Sequence, residues 1–149
     1  MKDLIEWMEL QIELDFPING STYRKDALKK FEVLKIKFGD IIKRDPLLDK
    51  KRPTGIGLDW IYYLYHQLSA TRLILQGAPQ RIQWTEVLAW QELMGHKLSA
   101  HEIQIVSTID NAILNKHWEM VHHRDKLQLE RMEEEKIMKD AQEQGLLNG

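Results

Sequence analysis

The sequence predicts an all-α fold: a compact helical bundle of about five helices over residues 1–115, with a long charged C-terminal helix, residues 116–149, extending from the body. Three observations predict it. Apolar side chains recur at helical spacing in several separate stretches. Glycine and proline are sparse (8 and 4 in 149 residues), too few to punctuate a many-stranded sandwich or barrel. Neither occurs between Ile109 and Gln144, so nothing there interrupts a helix.

The first helix spans Lys2 to Leu14. Leu4, Ile5, Met8 and Ile12 share one side at 3.6 residues per turn, and Pro17 with Asn19-Gly20 ends it. The second runs from Thr22, a good N-cap, to Lys43, with Ala27, Phe31, Leu34, Phe38, Ile41 and Ile42 as its apolar stripe and Gly39 as a weak point. Residues 44–57, with two prolines and two glycines, form a loop. The third helix spans Leu58 to Gln76. It carries one stripe of Ile61, Leu64, Leu68 and Leu75, a second through Tyr62, His66, Ser69 and Leu73, and only Asp59 and Arg72 as full charges. A short fourth helix runs from an N-cap at Thr85 to Met94, before Gly95. The fifth opens at Ser99-Ala100-His101-Glu102, a capping box, and buries Ile105, Val106, Ile109 and Ile113.

Composition bounds the function. A hydrophobic fraction of 43% suffices for a packed core. A net charge of -2 argues against a nucleic-acid binder, whose affinity comes from neutralising phosphates; Lys50-Lys51-Arg52 reads as a solvated loop. Cysteine is absent, which removes disulfides and thiolate metal sites and fits a reducing compartment. No apolar run reaches the ~20 residues that span a bilayer. The charged start, Met1-Lys2-Asp3 followed by Glu6 and Glu9, is unlike a signal peptide. The expectation is a soluble protein that stays in the cytoplasm where it is made, without a membrane or nucleic-acid partner.

Catalytic patterns fail one by one. His117, His122 and His123 are spaced off a common face, so no metal site is predicted. His101-Glu102 would begin a zincin motif, but position 105 is Ile105. Gly55-Ile56-Gly57 follows no strand and lacks the third glycine of a dinucleotide turn. No serine sits in a Gly-x-Ser-x-Gly elbow. The prediction is no enzyme, no catalytic residue and no cofactor.

Five tryptophans in a chain this short point instead to packing and partner recognition, because tryptophan is enriched in interface hot spots. The candidate partner-binding residues are Trp60, Leu64, Leu68, Trp84, Trp90, Leu93, Met94 and Trp118. Trp84, just ahead of the expected Thr85 cap, is the best surface candidate.

The stretch from Gln83 to Leu114 contains Trp90, Leu93, Gly95, Leu98 and Glu102, followed by Ile109-Asp110. This resembles the tail assembly chaperones and related small tail proteins of long-tailed bacteriophages, over about a fifth of the chain. The resemblance implies a protein that binds the tape-measure protein, and with it the tail-tube protein, during tail assembly in the host cytoplasm. It leaves a second possibility open, a structural minor tail or connector protein retained in the virion. It does not imply an oligomeric state.

Overall fold

The computed structural model describes residues 1–145. It contains five α-helices among the described residues and a single two-stranded hairpin. The helices are α1 (Lys2–Asp15), α2 (Tyr23–Phe38), α3 (Ile56–Ser69), α4 (Trp84–Met94) and α5 (Ala100–Glu143). Strands β1 (Ile74–Leu75) and β2 (Ala78–Pro79) lie between α3 and α4, and 3-10 turns at Gly39–Ile41 and Pro46–Asp49 follow α2. The chain divides into two compact units, Met1–His117 and Trp118–Gly149. No helix among the described residues is long and apolar enough to cross a membrane.

The core of the first unit follows from helical spacing. Ile61, Leu64, Tyr65 and Leu68 stand at i, i+3, i+4 and i+7 on α3, one face of the helix, and all four are buried. Leu4 and Met8 of α1, Val87 of α4, Leu98, and Val106 and Ile109 of α5 close around them. Leu4, Leu14, Leu64 and Ile109 are shut off from water, so truncating any of them to alanine removes both transfer energy and packing, about 2–5 kcal/mol.

The helix ends obey their caps. Thr22 Oγ1 accepts the Lys25 amide at 3.2 Å. The Ser99 capping box forms as its residue types dictate: the Glu102 amide donates to Ser99 Oγ at 3.1 Å, and the Ser99 amide donates to Glu102 Oε1 at 3.0 Å. Gly95 ends α4 in the left-handed conformation at φ 62°.

Five expectations are corrected. α2 stops at Phe38, not Lys43, because Gly39 adopts φ 75° and a 3-10 turn follows. None of its residues is buried: Phe31 and Leu34 are half-covered and Phe38 faces solvent, while beyond its end Ile42 is half-covered and Ile41 exposed. α3 stops at Ser69, not Gln76. Gln76 and Gly77 take φ of 52° and 77°, the positive pair of a type I′ hairpin turn, and the Gln80 amide donates back to the Leu73 carbonyl at 2.9 Å. Leu73 and Leu75, expected on helical stripes, are exposed on this hairpin. α4 begins at Trp84 itself; its N-cap is Gln83, whose side chain makes no cap bond, and Thr85 lies inside the helix.

Candidate partner-docking site

The site begins with a buried carboxylate. Asp110 is one residue beyond Ile109 and four beyond Val106, so α5 turns it toward the core, where it is only 4% exposed. A buried charge survives there only with partners. Arg72 Nη2 donates to Asp110 Oδ1 at 2.5 Å and to the Tyr65 hydroxyl oxygen at 3.0 Å, and Tyr65 in turn donates to Asp110 Oδ1 at 3.2 Å. The second carboxylate oxygen accepts the Ile82 amide at 3.0 Å. Arg72 Nη1 also donates to the Gln80 carbonyl at 2.7 Å. Burial lifts the Tyr65 phenol well above its ordinary value, so it stays a donor. The effect is to pin residues 80–82, which lead into α4, against α3 and α5. Thr71 adds a tie from the end of α3 by donating to Glu86 in the first turn of α4 at 2.6 Å.

That pinned segment presents Trp84. Its side chain is 65% exposed, beside a cleft of about 100 Å³. Leu68, Ile82, Val87, Leu98, Ile103 and Val106 supply apolar walls, while Arg81, Ser107 and Asn111 add polar groups. Leu88, one turn after Trp84, is also exposed. The hairpin just upstream exposes Leu73, Ile74 and Leu75.

The other expected partner residues divide. Leu64 has no exposed surface and is a core residue that cannot touch a partner directly. Leu68 is buried as well, but it lines the cleft beside Trp84. Trp60 and Trp90 are half-buried in an aromatic cluster: their rings lie 6.5 Å apart, and His96 stands 5.2 Å from one and 5.9 Å from the other. Trp60 Nε1 donates to Glu102 Oε2 at 2.6 Å, so the capping carboxylate also holds this cluster. Trp60 and Trp90 therefore pack against the protein's own aromatic side chains and are each partly exposed. Leu93 is 85% exposed and Met94 is exposed, but Leu93 follows Trp84 by nine positions, half a revolution around α4. Trp118 is exposed and belongs to the second unit.

The residues that carried the phage resemblance have structural duties here. Trp90 packs, Gly95 supplies the helix stop, Leu98 and Ile109 are buried, Glu102 caps, and Asp110 holds the loop. The Asp110 network was not foreseen. A signal for it existed: Arg72 is one of two full charges in a charge-poor segment, and Asp110 sits on the apolar face of its helix.

Among the described residues no three His, Cys, Asp or Glu side chains are grouped to hold a metal ion. Comparison with protein-family models, with curated proteins and with solved structures finds no match to this chain.

Proposed function

We propose that this chain is a non-enzymatic, protein-binding assembly factor that works as the phage tail assembly chaperones do, covering an apolar stripe of the tape-measure protein in the host cytoplasm. The observation that carries the reading is Trp84, a large aromatic ring held in the open beside an apolar cleft by a buried ionic network. An aromatic anchor on a rigid support next to a pocket is the arrangement that concentrates binding energy at protein interfaces. Leu88, one turn further along α4, adds exposed apolar area, and Arg81, Ser107 and Asn111 provide polar groups to fix orientation. A helical partner would present one apolar side chain to the cleft and lay its stripe along Trp84 and Leu88.

The test is co-expression with the tape-measure protein from the same genome, scoring that protein's soluble yield and its co-purification. Raised yield with co-purification supports the reading. If neither occurs, the chaperone function is wrong. Recovery of the chain from purified virions would favour the minor tail or connector role instead.

A further inference from the structure

The cleft beside Trp84 carries a charge as well as apolar walls, and the charge narrows what can enter it. Its lining holds two ionisable side chains, Asp110 and Arg81. Asp110 is answered from inside the fold. The Arg72 guanidinium lies 2.5 Å from Oδ1, Tyr65 donates to the same oxygen, and the Ile82 amide donates to the other. That buried pair is neutral as a unit. Arg81 differs: it is exposed, and its side chain makes no hydrogen bond or ion pair among the described residues. Glu86, the nearest acidic residue along the chain, is not part of the lining and accepts instead from Thr71 at the end of α3.

The cleft therefore presents one uncompensated positive charge at the rim of an apolar hollow. Ser107 and Asn111 stand at i and i+4 on α5 and line the same cleft. They add a hydroxyl and an amide donor that have no partner among the described residues. A carboxylate suits this set, because a guanidinium binds it through two parallel N–H donors and the neutral donors can share its lone pairs. A cationic group at the same place meets repulsion from Arg81. On a helix, a carboxylate three or four positions from an apolar side chain lies beside it on one face.

We propose that the Trp84 cleft selects a helical protein segment bearing an aspartate or glutamate one turn from its apolar anchor, and that Arg81 pairs with that carboxylate. This selectivity rests on the docking function proposed for Trp84 and adds the sign of the charge that is recognised.

The experiment uses three alanine-based helical peptides that share a leucine stripe and carry Glu, Gln or Lys one turn from the central leucine. Fluorescence anisotropy of the labelled peptides reads their affinity for the full-length wild type, Arg81→Glu and Trp84→Ala, with circular dichroism confirming that each variant is folded. The wild type should bind the Glu peptide about tenfold tighter than the Lys peptide, with Gln between, and the preference should shrink as salt rises. Arg81→Glu should reverse the order. Trp84→Ala should weaken all three peptides and keep the order. Binding that needs Trp84 but ignores peptide charge, or a preference for Glu that survives Arg81→Glu, would overturn the charge selectivity and leave the docking function standing. Absence of binding by every peptide, or affinities that Trp84→Ala does not change, would overturn both.

Discussion

At the scale of single residues, Asp110 organises the candidate site from the buried end of the cleft. Its two oxygens collect Arg72, Tyr65 and the Ile82 amide in a place that is 4% exposed. Removing one partner from a buried ion pair is far costlier than the pair's net contribution, because the remaining charge stays desolvated. Asp110→Ala should therefore cost about 3–5 kcal/mol in denaturant unfolding, against about 1–3 kcal/mol for the loss of a neutral buried hydrogen bond. A loss below 1 kcal/mol would mean that the network does not hold residues 80–82. Glu102 works differently. The Ser99 amide first, and the Trp60 indole second, hold its carboxyl below the ordinary value of 4.5. A carboxylate with a lowered folded-state value stabilises the fold above its unfolded value, and that contribution fades as pH falls through the folded one. The stability gap between wild type and Glu102→Gln should thus be full at pH 7 and close toward pH 3. A gap that does not change over this range would remove the charge from the account.

At the scale of elements, the hairpin shows what periodicity can and cannot reveal. Leu73 and Leu75 continue plausible helical stripes beyond Ser69, so spacing alone carries α3 through to Gln76. One long-range contact and one local turn end it instead. Arg72 is drawn to Asp110, 38 residues away, and Gln76-Gly77 turns the chain back on itself. Glutamine is an unusual residue at positive φ, which is why this turn is hard to read from the sequence. The geometry predicts opposite responses at adjacent positions. Gln76→Asn, better suited to left-handed backbone, should raise stability by about 0.5 kcal/mol, while Gly77→Ala should lower it by about 1 kcal/mol, both read from thermal melts. Equal effects of the same sign would rule out the type I′ turn. By contrast, the capping box and the Gly95 stop were legible, because each depends on residues within a few positions of one another.

At the scale of the molecule, composition and periodicity were enough to expect a mostly helical fold and a long C-terminal helix, which α5 is. The five tryptophans illustrate the limit. Each is equally hydrophobic as a letter, yet Trp60 and Trp90 pack against one another while Trp84 stands in the open. Which does which depends on how α3, α4 and α5 meet, and that is decided by contacts spanning tens of residues. Every member of the principal buried cluster lies between Leu4 and Ile109. Residues 1–117 alone should therefore keep a cooperative unfolding transition and a helical circular dichroism spectrum; loss of either would show that the first unit does not fold by itself.

The central claim is that Trp84 serves recognition more than stability. A side chain 65% exposed contributes little to the core, whereas an aromatic anchor at an interface carries about 2 kcal/mol or more. The decisive measurement pairs denaturant unfolding of Trp84→Ala with its affinity for the proposed partner, the tape-measure protein. The account predicts stability within about 1 kcal/mol of wild type and affinity reduced at least about thirtyfold. Unchanged affinity, or a stability loss as large as the binding loss, would contradict it.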